Sequence, residues 1–141
     1  MDIKDLYRQT ILEHYKHPLN KGIIEDGFLI TEYKNPSCGD EIRLGLKLNG
    51  DEIVECRHDG HGCSICCASA SVMSDIVKGK KIETALKMEE EFSKLLMGQD
   101  VDTNLIEGEV LAFLGVKDFP ARIKCATLPW KAMVKIIKKN G

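Results

Sequence analysis

The stretch Asp59-Gly60-His61-Gly62-Cys63-Ser64-Ile65-Cys66-Cys67-Ala68-Ser69-Ala70-Ser71 runs from a predicted strand into a predicted helix. Gly60 and Gly62 bracket the junction, where a glycine allows positive φ or a close backbone approach. Cys63 stands just before the helix, whose first free N–H groups favour a thiolate over a thiol. Small residues from Cys66 to Ser71 then allow tight packing. Two other cysteines have related settings: Cys38, in the turn Asn35-Pro36-Ser37-Cys38-Gly39-Asp40, and Cys125, predicted just before the last helix. Asp40 follows Cys38 by two residues, so in an extended segment both can face one side. Three thiolates and a carboxylate complete a tetrahedral shell for Zn²⁺ or provide ligands for iron in a cluster.

The remaining candidates have plainer readings. Cys56, in an alternating strand, and Cys67 are expected to be small buried hydrophobes. His58 is expected to be half-buried in its strand and His61 exposed in a turn. His14 and His17 are expected on the surface at a helix C-terminus, where the dipole favours them. Cys63-Ser64-Ile65-Cys66 has the C-x-x-C spacing of dithiol oxidoreductases, but these need a strand–helix–strand setting on a parallel sheet. A structural zinc module that binds another protein is the other rival, and its site would be closed and inert.

The elements that must position these residues follow from periodicity. Ile3, Leu6, Tyr7, Ile11 and Tyr15 have helical spacing over 2–16, ended by His17-Pro18. Residues 28–58 read as a three-stranded antiparallel meander. A strand over 28–33 leads to one in which Ile42, Leu44, Leu46 and Leu48 alternate. Asn49-Gly50 makes a hairpin turn, and a third strand follows in which Val54, Cys56 and His58 alternate. In a meander the turn holding Cys38 and the end of the third strand lie at the same end of the sheet. That places Cys38 near Cys63, whereas Cys125 has to be delivered by tertiary packing. Helices are predicted over 64–78, stopped by Gly79, over 81–97, and from Thr103 through Leu114. A short helix is predicted from Asp118-Phe119-Pro120, and a last one capped by Thr127 with Pro129 in its first turn. Sheet first and helices after is an α+β layout, expected as a single domain over 1–141.

The chain has 141 residues, 43% hydrophobic and 30% charged, with a formal net charge of −2. That balance speaks against a general nucleic-acid binder. Lys135, Lys138 and Lys139 read as a helix end complementing its own dipole. No apolar run has the length of a membrane span, and the charged start Met1-Asp2-Ile3-Lys4-Asp5 has no signal-peptide core. A cytoplasmic protein with no nucleic-acid or membrane partner is expected. Its six cysteines then point to metal or reactive thiols rather than disulfides.

Four segments together resemble the U-type iron–sulfur cluster assembly proteins, which share their domain with the N-terminal part of NifU. They are Asn35-Pro36-Ser37-Cys38-Gly39-Asp40; Gly60-His61-Gly62-Cys63-Ser64-Ile65 with Ala68-Ser69-Ala70-Ser71; Arg122-Ile123-Lys124-Cys125-Ala126-Thr127-Leu128; and the N-terminal helix ending at His17-Pro18. The resemblance implies a three-stranded antiparallel sheet packed against about five helices. It also implies sulfur received from a cysteine desulfurase, then passed on or built into a cluster, [2Fe–2S] first among them. Downstream scaffolds or apoproteins would be the recipients. Lys124 replaces the histidine of IscU-type members, and Leu128-Pro129-Trp130-Lys131 replaces their chaperone-recognised Leu-Pro-Pro-Val-Lys. The chain therefore looks like the SufU branch, whose members hold zinc on Cys38, Asp40, Cys63 and Cys125. That makes it at most a zinc-dependent sulfurtransferase and otherwise a scaffold. Cys38, a loop ligand between Pro36 and Gly39, is the expected sulfur acceptor, and Asp40 the labile hard ligand among soft thiolates.

Overall fold

Ile42, Leu44 and Leu46 are all buried on one face of a strand, as their alternation requires. Full burial of a Leu side chain stabilises by roughly 1.5–3 kcal/mol, so this face fixes which side of the sheet the helices cover. The structure is a computed structural model that describes residues 2–22, 26–35 and 39–140. Its elements in chain order are α1 (Ile3–Lys16), β1 (Leu29–Lys34), β2 (Glu41–Asn49), β3 (Glu52–His61), α2 (Ser64–Val77), α3 (Ile82–Leu96), a 3₁₀ helix (Gly108–Val116) and α4 (Pro120–Asn140). The strands form one antiparallel sheet in the order β1-β2-β3, so the α+β expectation holds.

Helices α2 and α4 cross the inner face of the sheet; α1 packs on α2, and α3 packs on α4. α2 is buried on nearly every side, from Cys66 through Ser74 and Val77 apart from Cys67. Its small side chains make that possible, and its buried hydroxyls, Ser69, Ser71 and Ser74, are all engaged. Ser69 Oγ donates to the Ala126 carbonyl at 2.6 Å, and Ser74 Oγ donates to the Ser71 carbonyl at 2.8 Å. A buried hydroxyl without such a partner would cost about 1–3 kcal/mol.

Four expectations change. The third strand runs on to His61, and Ile53, not Val54, lies inside with Cys56 and His58. The pairing shifts between Lys47 and Leu48: Lys47 faces Glu55 while Leu48 faces Ile53. Val54 is thus the extra residue of a β-bulge, which flips the alternation that strand spacing implies. Thr103 starts no helix through Leu114. Asp102 holds the turn there instead, accepting from Asn104 N at 2.9 Å, and the 3₁₀ helix begins only at Gly108, whose φ is +75°.

The two predicted helices at 118–140 are one, with Pro129 in its interior. Thr127 Oγ1 caps nothing and bonds back to the Lys124 carbonyl at 3.2 Å. Pro129 removes one donor from the helix ladder, and Ser69 supplies one from α2 beside the gap. Finally, His14 is buried rather than at the surface. Its Nδ1 meets Ser71 Oγ at 2.8 Å and its Nε2 meets Glu109 Oε2 at 2.9 Å. The small residues of α2 let α1 approach closely enough to enclose it. His17 is exposed, as expected.

The bulge has a direct test. Ile53→Ala should lower unfolding free energy by about 2–5 kcal/mol, while Val54→Ala should stay within about 1 kcal/mol of wild type. Urea denaturation of both variants measures this; equal losses would contradict the bulge.

Candidate metal centre

Three of the four expected ligands converge. Asp40 sits at the entry to β2 and is buried, 3% exposed. Cys63 is the N-cap residue of α2, with φ −68° and ψ 164° and no side-chain cap bond. Its sulfur is therefore left for other partners. Cys125 is not before the last helix but inside it, in the second turn of α4, and is buried. One ligand atom from each of Asp40, Cys63 and Cys125 lies within 4.8 Å of the other two. The fourth expected ligand, Cys38, lies with Pro36 and Ser37 outside the described residues.

Asp40 ties the sheet to the helix. Its Oδ1 accepts the Cys63 backbone N–H at 2.9 Å, so the carboxylate also lies at the positive end of the α2 dipole. Its Oδ2 is 3.6 Å from Cys63 Sγ. The strand segment before it is closed by Asn35 N donating to the Asp40 carbonyl at 2.8 Å. Gly60 and Gly62 serve close approach rather than positive φ, since neither appears among the positive-φ glycines. A Cβ on Gly60 would overlap the Glu41 carbonyl across the β2–β3 pair, and one on Gly62 would come within 2.7 Å of Asp40 Oδ1.

The site has a further member that spacing alone did not single out. Arg122 precedes Cys125 by three residues, so on a helix the two share a face. The Cys125 sulfur beside it raises the Arg122 guanidinium above its ordinary value, and Cys63 adds to the effect. Arg122 is exposed, which places a cation at the open side of the two sulfurs. The signal was present in Arg122-Ile123-Lys124-Cys125, once the segment is read as helix rather than as a lead-in.

The other thiols and imidazoles stay out. Cys56 is buried, and burial pushes its thiol up to about 12. Cys66 is 3% exposed, so the C-x-x-C pair presents no open dithiol. Cys67 is half-buried rather than fully buried; its thiol points to the Gly62 carbonyl at 3.8 Å, and burial raises its pKa. His58 is buried more deeply than expected, and its Nε2 is engaged by the Leu19 carbonyl at 2.8 Å. His61 is exposed in β3.

A donor set of two cysteine sulfurs and a carboxylate, with a third cysteine two residues from Asp40 in sequence, fits a borderline-soft ion such as zinc. Residues 6–126 match the family described as the NifU-like N terminal domain. The chain belongs to this family. Among its relatives, the zinc-dependent sulfurtransferase SufU of Bacillus subtilis is 49% identical, covering 99% of this chain and 94% of its own length. The iron–sulfur cluster assembly scaffold protein IscU of Streptococcus pyogenes is 38% identical, covering 99% and 87%. A crystal structure of a putative iron–sulfur cluster assembly scaffold protein for the SUF system from Fervidobacterium islandicum superposes with a TM-score of 0.83 at 36% identity, covering 92% of this chain and 94% of that one. The higher identity to SufU accords with the departures at Lys124 and Leu128-Pro129-Trp130-Lys131. In this family member Trp130 is not at a helix start but buried within α4, stacked on Phe92 at 4.6 Å.

Two results are expected. Gly62→Ala should displace the Asp40 carboxylate and weaken zinc binding by about 10–100-fold, with far-UV circular dichroism unchanged; wild-type affinity would contradict the packing of Gly62 on Asp40. Burial lowers the His58 pKa below its ordinary 6.5, opposed by the Leu19 hydrogen bond, with smaller effects from Lys21 and Asp59. Unfolding then takes up a proton as pH falls below 6.5, so this group's contribution to stability is full above that pH and is lost as pH falls through the folded value. Ring-nitrogen NMR should give a His58 midpoint below 6.5, and a midpoint above it would contradict the burial argument.

Proposed function

We propose that this chain accepts sulfur as persulfide from a cysteine desulfurase at a site formed by Cys38, Asp40, Cys63 and Cys125. It then passes the sulfur on or assembles an iron–sulfur cluster as cargo, with a downstream scaffold or apoproteins as recipients. The reading takes residues 1–141 as a single domain working in the cytoplasm. The observation that carries it is the convergence of Asp40, Cys63 and Cys125 ligand atoms within 4.8 Å, joined by the SufU and IscU relatives. No helix among the described residues is long and apolar enough to cross a membrane.

Cys38, Asp40, Cys63 and Cys125 would hold zinc, which when bound keeps thiolates deprotonated at neutral pH. The chain's own groups do the rest. Asp40 Oδ2 lies 3.6 Å from Cys63 Sγ, close enough for the carboxylate and the sulfur to serve one site. Arg122 offsets the negative charge of the Cys63 and Cys125 sulfurs. The Cys38 thiolate attacks the terminal sulfur of the donor's persulfide. The donor's S–S bond breaks, a new S–S bond forms on Cys38, and the donor cysteine leaves as thiolate. The transfer is isoelectronic and needs no added reductant.

Mass spectrometry after mixing with desulfurase and cysteine should locate the added sulfur on Cys38; sulfur found on Cys125 and never on Cys38 would contradict the assignment. Asp40→Ala should bind zinc at least about tenfold more weakly and accept sulfur more slowly, and wild-type values for both would remove Asp40 from the site.

A further inference from the structure

α4 carries no acidic residue, while Lys124, Lys131, Lys135 and Lys138 are all exposed on it. Their spacings of 7, 4 and 3 residues place them within a sector of about 60° around the helix, over a length of about 21 Å. Elsewhere some basic side chains pair, among them Lys34 with Glu41, Arg43 with Glu32, Lys87 with Glu83 and Lys94 with Glu91. Among the described residues none of the four α4 lysines has an ion-pair partner; Lys135 lies over the Tyr33 ring at 5.4 Å. The helix dipole favours cations only in the last turn, which accounts for Lys138. It does not account for Lys124, in the second turn. So a row of four like charges stands on one face of a chain whose net charge is −2, and its first member adjoins Cys125.

We propose that this row is the docking face for the sulfur donor, through an acidic surface beside the donor's reactive cysteine. The inference rests on the sulfur-acceptor reading for the donor's identity. A partner laid along the row reaches the site at its Lys124 end. The donor is required whether sulfur is passed on or built into a cluster, whereas recipients differ between the two. Unpaired charges of one sign steer an oppositely charged partner and raise its association rate in a salt-dependent way. A nucleic acid fits poorly, because the net negative charge of the chain repels it.

The test compares wild type with Lys131→Glu/Lys135→Glu/Lys138→Glu, and with the control Lys47→Glu/Lys78→Glu/Lys80→Glu, which changes net charge equally at exposed positions elsewhere. Zinc content and thermal melting verify folding. Association with the purified cysteine desulfurase of the same organism is followed by surface plasmon resonance. At about 20 mM salt the α4 variant should associate at least about tenfold more slowly than wild type, with the gap closing near about 0.5 M salt. The control should lose much less. Equal rates for wild type and the α4 variant, or equal losses in the α4 variant and the control, would overturn the docking face. So would tighter wild-type binding to duplex DNA than to the desulfurase at low salt. A wild type that binds the desulfurase through α4 yet accepts no sulfur would overturn the sulfur-acceptor reading and support this one. A wild type that accepts sulfur with binding indifferent to the α4 charges would do the reverse.

Discussion

The hydrogen bond from the Cys63 backbone N–H to Asp40 Oδ1, 2.9 Å long, joins the entry of β2 to the start of α2. It occupies one of the donors a helix start leaves open, and it leaves the Cys63 side chain without a capping duty. A carboxylate and a sulfur thus meet at the junction of sheet and helix. The arrangement depends on glycine at 62, because any side chain there would fill the space of the Asp40 carboxylate. It depends equally on α2 lying deep in the fold, since a helix displaced outward would carry Cys63 with it.

What holds α2 in place also brings Cys125 to Cys63 and Asp40. Ser69 bonds the Ala126 carbonyl of α4, one residue from Cys125, and Ser71 meets His14 of α1. The same run of small residues therefore sets the distance to both flanking helices. Phe92 and Trp130, stacked at 4.6 Å, secure α4 from its other side. The sulfurs of Cys63 and Cys125 are brought together by neutral packing, and the charge they acquire on ionising is met by Arg122 at the open side.

Local chemistry was legible where a local rule decided the outcome. The alternation of Ile42, Leu44 and Leu46 gave the buried face, Gly79 at φ +82° ended α2, and Gly-His-Gly before a small-residue run marked Cys63 as a helix start. The misreadings came where tertiary contacts override local preference. Pro129 reads as a first-turn residue, yet it lies inside α4, which α2 holds through the Ser69 bond to the Ala126 carbonyl. His14 reads as a surface residue, yet α2 and the 3₁₀ helix enclose it. Val54 reads as inward, but strand register is a property of the pair and the bulge is invisible in β3 alone. Cys125 could be nominated by its type, not placed, because its approach to Cys63 depends on two helices crossing.

The central claim is that Asp40, Cys63 and Cys125 share one metal shell with Cys38. Zinc-edge X-ray absorption of the zinc-loaded protein tests it most directly. The account predicts three sulfurs at about 2.3 Å and one oxygen at about 2.0–2.2 Å, with one sulfur lost in Cys125→Ser and the shell unchanged in Cys56→Ser and Cys67→Ser. A four-sulfur shell, or a shell that Cys125→Ser leaves intact, would contradict it.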